Sequence, residues 1–129
     1  MADRSKDWME LARRDLGAAE ELRTSKRHEW ACFAAHQSAE KAVKALHLRR
    51  GQEARGHVVA RLLSELPADL QPSALLVDRA RVLDTFYIPA RYPDAHPEGA
   101  PFEHYGELQS QEAVGHAREI LGFVAAQMA

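Results

Sequence analysis

Apolar residues in this chain recur every three or four positions, and no stretch alternates with period two over five residues. That periodicity predicts helices throughout and no strand. The first stretch, from about Ser5 to Thr24, carries Trp8, Leu11, Ala12, Ala18, Ala19 and Leu22 on one stripe, with Asp3 or Ser5 available as a cap. Asp15 lies on the same stripe, where an acid needs either a partner or an exposed edge. The second stretch, from about Arg27 to Arg50, contains no Pro or Gly until Gly51 ends it. On one side, Ala31, Ala35, Ser38, Ala42 and Ala45 form a seam of small residues that lets another helix approach closely. On another, Trp30, Phe33, Ala34, Gln37, Lys41, Lys44 and Leu48 form a stripe with a polar middle. Lys41 is expected to pair with Asp15, to face the loop described below, or to be solvated.

Gly51 to Gly56 predicts a turn, and a short helix follows from about His57 to Leu66, with Val58, Val59, Leu62, Leu63 and Leu66 on one face and Pro67 ending it. Pro72 suits the first turn of the next helix, which is expected to reach Tyr87 with Leu75, Leu76, Ala80, Leu83 and Phe86 inward. The last helix, from about Glu107 to Met128, carries Val114, Ala117, Leu121, Val124 and Met128. Ile120 and Phe123 widen its stripe enough for two neighbours or a second subunit. The expected fold is all-α, an up-and-down antiparallel bundle of about five helices, one of them short, in a single domain over residues 1–129.

Between the last two helices, Phe86 to Tyr105 reads FYIPARYPDAHPEGAPFEHY. Its prolines exclude a regular helix or a central strand, and its aromatics argue against disorder. A long loop that is ordered is usually functional.

Composition narrows the chemistry only slightly. At 129 residues the chain is long enough for a real core, and a net charge of -2 argues against a protein that coats nucleic acid generically. A lone cysteine, Cys32, excludes an internal disulfide and lies mid-helix among small apolar residues, where burial is the default. No apolar run approaches a membrane span, and the first residues lack the core of a secretion signal, so a cytoplasmic protein is expected. The seven histidines, including His36 one turn before Glu40 and the loop pair His96 and His104, show no metal-ligand spacing. We therefore expect neither metal nor cofactor. The loop segment Arg91-Tyr-Pro-Asp-Ala-His96 is more suggestive. An arginine can grip a phosphate with two N–H groups, and a histidine can move a proton near neutral pH. Together they suffice in principle for metal-independent RNA cleavage.

Several motifs occur in a telling order. They are Asp15-Leu16 on the first helix, Gln37-Ser-Ala-Glu-Lys41-Ala-Val-Lys44 on the second, His57 opening the third, and Ala90-Arg91-Tyr92-Pro93-Asp94 in the loop. A closing amphipathic helix with Ala117 follows. Over nearly its whole length the chain resembles the HEPN domain family (higher eukaryotes and prokaryotes nucleotide-binding). The resemblance implies a helical bundle that dimerises, often encoded beside a nucleotidyltransferase in a toxin–antitoxin-like pair. It matches Arg91 and His96 to the arginine and histidine of RNase-like members. The chain departs from those members at Tyr92, where a small polar residue is usual, at Pro93 and Pro97, and at Glu98, where some members carry a tyrosine.

Three readings follow. In the first, a homodimeric module holds the phosphates of a nucleotide with Arg91, Lys41 and Gln37, stacks Tyr92, Tyr87 or Phe102 on the base, uses Asp94 as an acceptor, and works with a nucleotidyltransferase-type partner. In the second, Arg91 and His96 cleave RNA in a dimer cleft. In the third, Arg91 and Asp94 form an internal ion pair that pins the loop.

Overall fold

A computed structural model describes residues 3–129, and among them it contains five α-helices and no strand. The helices are α1 (Ser5–Thr24), α2 (His28–Arg49), α3 (Val59–Ser64), α4 (Ala74–Asp84) and α5 (Glu107–Met128). Single 3-10 turns stand at Ala68–Leu70, Pro93–Ala95 and Pro101–Glu103. The ends follow local chemistry. Asp3 Oδ1 accepts the Ser5 N–H at 2.8 Å, and Ser73 Oγ accepts the Leu76 N–H at 3.1 Å.

The architecture is organised around α2. All five residues of its small seam are fully buried, and Ser38 Oγ donates to the Ala12 carbonyl at 2.7 Å. That bond reaches the backbone of α1 directly, which only small residues at the crossing permit. The polar pairs fix the directions. Ser5 meets Arg49 and Asp15 meets Lys41, so α1 and α2 are antiparallel. His28 meets Ser110 and Arg49 meets the Met128 carbonyl, so α5 runs parallel to α2. Arg23 meets Glu107 and Arg118 meets Glu20, which makes α5 antiparallel to α1.

With only six residues, α3 is too short to stand alone, and tertiary bonds hold it. Asp84, the last residue of α4, accepts the Val59 N–H at 2.7 Å and the Ala60 N–H at 3.0 Å. These are orphan donors of the first helical turn, and a carboxylate is a strong acceptor for them. Asp84 also takes the Nε2–H of fully buried His36 at 3.1 Å, and that same hydrogen reaches the His57 carbonyl at 2.9 Å. At the other end of α3, buried His47 meets the Leu62 carbonyl at 2.8 Å and Gln52 at 3.1 Å. Buried His47 thus replaces a missing backbone partner of the short helix, and buried His36 satisfies the His57 carbonyl just before it.

Several expectations need correction. Val58 precedes α3 instead of packing beneath it and is 48% exposed. Leu75 is 57% exposed, since it stands about 100° around α4 from Leu76 and off the buried stripe of Leu76, Ala80 and Leu83; α4 begins at Ala74 behind the Ser73 cap, not at Pro72. Leu11 and Ala18 also face solvent, leaving Met9, Ala12 and Ala19 as the buried apolar positions of α1, with Ser5 buried beside them. The fourth helix stops at Asp84 instead of Tyr87, since its carboxylate is engaged with α3 and the chain continues in turns. Among the described residues no helix is long and apolar enough to cross a membrane.

Two outcomes are expected. Asp84→Ala leaves the Val59 and Ala60 N–H groups without their acceptor and leaves His36 with the His57 carbonyl alone; it should cost about 3 kcal/mol, lowering the melting temperature by about 10 °C in a circular-dichroism melt. Cys32 is fully buried, and burial, reinforced by Glu29 and Glu112, pushes its thiol up to about 12. It should therefore resist a thiol-specific colour reagent in the native protein and react at once after denaturation.

Candidate functional site

After α4 the chain turns twice within seven residues, with Phe86 N–H bonded to the Leu83 carbonyl, Ala90 N–H to Phe86 and Arg91 N–H to Ile88. Phe86 and Ala90 are buried, which anchors the turn in the core. The alternation leaves Tyr87 and Arg91 against the outer stripe of α2. Arg91 Nε donates to the Tyr87 carbonyl at 2.8 Å. Its guanidinium carbon lies 4.5 Å from the Phe33 ring centre, 4.6 Å from Tyr87 and 5.0 Å from Tyr92. No carboxylate of the described residues lies within ion-pair distance of Arg91, and its two terminal nitrogens make no hydrogen bond there. A charged guanidinium is thus held on aromatic faces with its outer edge open.

The aromatic surface extends to either side. Trp30 meets Phe33 edge-on at 6.1 Å, and both Trp30 and Tyr92 are about half exposed. On the other side Tyr87 stacks on His57, with ring centres 4.9 Å apart and planes at 18°. His57 Nδ1 meets Glu40 Oε1 at 3.0 Å, and Glu40 Oε2 takes Lys44 Nζ at 3.0 Å.

The other expected site residues are distributed as follows. Lys41 pairs with Asp15 at 2.5 Å across the α1–α2 crossing, the first of the partners expected for it. Gln37 lies one helical turn beyond Phe33 and donates to His36 Nδ1 at 3.3 Å. Asp94 is exposed in its turn and makes no ion pair with Arg91, so the loop is not pinned in that way. Aromatic contacts and the Tyr87 carbonyl hold Arg91 instead. His96 stands apart from Arg91 in its contacts. Its Nε2 donates to the Pro89 carbonyl at 2.7 Å, and its ring lies parallel to His104 at 4.1 Å, with Tyr105 edge-on at 5.8 Å. His104 Nε2 in turn donates to the Glu98 carbonyl at 2.6 Å. Gly99 makes the tight reversal between the two histidines, at φ 82°, where a Cβ would strike the Glu103 carboxylate. Burial pushes the Tyr105 phenol above its ordinary value. Among the described residues no three potential ligands cluster to hold a metal ion.

The composition and motif of the loop identify Arg91 and Tyr92 but not the residues that hold or flank them. Phe33 appeared only as an apolar position of α2. Glu40 and Lys44 had the spacing of a helical ion pair, yet nothing in the sequence brought His57 to them. The spacing of His36 suggests only a ligand beside Glu40, and Asp84 carries no sequence signal at all.

Comparisons with known proteins agree with this architecture. The HEPN domain model matches residues 5–127. No curated protein matches. Among solved structures, a protein of Thermus thermophilus is 48% identical, with a TM-score of 0.96 over 98% of this chain and 99% of that one. An archaeal HEPN homologue is 41% identical, with a TM-score of 0.82 over 99% and 100% of the two chains. A HEPN domain protein of Thermotoga maritima is 33% identical, with a TM-score of 0.76 over 93% and 95%. The chain belongs to the HEPN domain family.

Proposed function

We propose that this HEPN protein is a nucleotide- or RNA-binding module whose phosphate contact is Arg91. The observation that carries this reading is the open guanidinium, fixed on Phe33, Tyr87 and Tyr92 without a neutralising carboxylate. An arginine kept only for structure would normally be given an acidic partner, as Arg23, Arg50 and Arg118 are here. Planar donors held in advance lose little entropy when they meet a phosphate. Half-exposed Tyr92 and Trp30 supply faces for a base, each worth about 1–3 kcal/mol where stacking occurs.

Lys41 and Gln37 contribute less to this reading, because Asp15 and His36 already engage them. RNA cleavage by Arg91 and His96 also draws less support. The Nε2–H of His96 is occupied by a carbonyl and its ring is covered on one side by His104. In keeping with the family resemblance, the module is proposed to work as a homodimer beside a nucleotidyltransferase-type protein in a toxin–antitoxin-like pair. Exposed Phe102 and Leu108 are apolar residues available to such contacts.

Titration of the purified protein with nucleotides and short oligoribonucleotides, in a calorimeter, tests the reading. Arg91→Ala should weaken binding by at least about tenfold, and Arg91→Lys nearly as much, since lysine lacks the planar fork. Lys41→Ala should change thermal stability more than affinity. Equal affinity in wild type and Arg91→Ala overturns the assignment. Incubation with structured and unstructured RNA in EDTA addresses cleavage. Activity that disappears in His96→Ala would replace the binding reading with the catalytic one.

A further inference from the structure

We propose that His57 is a proton-gated second anion contact beside Arg91, braced by the buried carboxylate of Glu40. The inference rests on the binding reading above and adds a dependence on pH to that same site.

Glu40 is 4% exposed, and acids are seldom so buried unless paired. One of its oxygens faces His57 Nδ1 and the other faces Lys44 Nζ, each at 3.0 Å. A carboxylate can only accept, so Nδ1 carries the hydrogen, and in the neutral ring Nε2 is left as a bare lone pair. That nitrogen makes no hydrogen bond within the described residues, and the side chain is 54% exposed. A phosphate oxygen is also an acceptor, so neutral His57 offers it nothing. Protonation converts Nε2 into a charged donor without moving the ring. It also strengthens the Nδ1–H bond to Glu40 and the contact with the Tyr87 face.

The surroundings allow that charge to act outward. Tyr87 bears both the Arg91 guanidinium and the His57 ring, so one aromatic side chain joins the two groups. From α2, Glu40 meets the His57 ring, Lys44 meets Glu40, and His36 bonds the His57 carbonyl. From the turn after α4, Tyr87 stacks on the ring and carries Arg91, while Asp84 at the end of α4 bonds His36 and α3. Lys44 already balances Glu40, so the proton gained by His57 is uncompensated positive charge at the site. The hydrogen of His36 is committed to the His57 carbonyl and to Asp84, and Asp84 is committed to α3. Neither is free to take over the role. Arg55, two residues upstream, pairs with Glu53 in solvent.

The test is calorimetric titration with a short oligouridylate, whose phosphodiesters and bases keep the same charge across the range where an imidazole titrates. Between about pH 6 and about pH 8, wild-type affinity should fall about tenfold. His57→Gln should bind equally at both ends and no tighter than wild type at the higher pH. His57→Lys, whose cation persists, should bind nearly as well at the higher pH as wild type does at the lower. Both variants retain the backbone carbonyl that His36 uses, and circular-dichroism melts verify that they fold. A wild-type pH slope that persists in His57→Gln overturns the proposal, as does pH-independent wild-type binding, while both leave the Arg91 reading standing. Absence of binding by wild type at either pH removes both readings.

Discussion

The Asp84 carboxylate is the interaction on which the outer face of this bundle depends. One side chain terminates α4, caps α3 through two backbone N–H groups and shares the Nε2–H of His36 with the His57 carbonyl. The short helix has too few internal hydrogen bonds to persist without such partners. Three residues after Asp84, Tyr87 lies on the rings of His57 and His36. Where α4 stops therefore decides where Tyr87 stands, and Tyr87 in turn supports Arg91 from both its carbonyl and its ring. The placement of the candidate site is a consequence of a helix-capping arrangement in the interior.

The second requirement is close packing along α2. Its alanines and Ser38 form a surface that α1 approaches until a hydroxyl reaches a backbone carbonyl. This part of the fold was legible in the sequence, because a run of small residues at helical spacing has one economical use in a bundle. The pairing of Asp15 with Lys41 was legible as one of three alternatives, because an acid on the apolar stripe of α1 and a lysine in the middle of α2 each needed a partner. The outward rotation of Leu75 and Val58 was not. Val58 lies before the first helical residue of α3, which spacing alone does not locate, and Leu75 stands about 100° from Leu76, beside the stripe that Leu76, Ala80 and Leu83 form.

At the site, periodicity reached its limit sooner. The loop's arginine and tyrosine were conspicuous, but spacing suggested an ionic partner in Asp94 and a polar one in Lys41. The structure brings Arg91 to Phe33 and Tyr87 instead. Nothing in a one-dimensional pattern distinguishes an aromatic that fills a core from one that supports a cation, since both are apolar positions on a helix. Glu40 and His57 are separated by a turn and a change of direction, and Asp84 by a further helix, so only the folded chain brings them together.

Holding a cation on aromatic rings differs physically from pairing it with an acid. A carboxylate partner would cancel the guanidinium's charge, and an incoming phosphate would have to displace it, losing one charge-assisted bond for each one gained. Aromatic faces orient the planar group through its quadrupole interaction and leave its hydrogen-bonding edge available. Along α2 the contrast appears within two helical turns. Lys41, bound to Asp15, is a structural cation with its charge already answered, whereas Arg91 on Phe33 has no acidic partner among the described residues. The neutralised lysine strengthens the crossing of α1 and α2, and the unneutralised arginine leaves positive charge on the neighbouring surface.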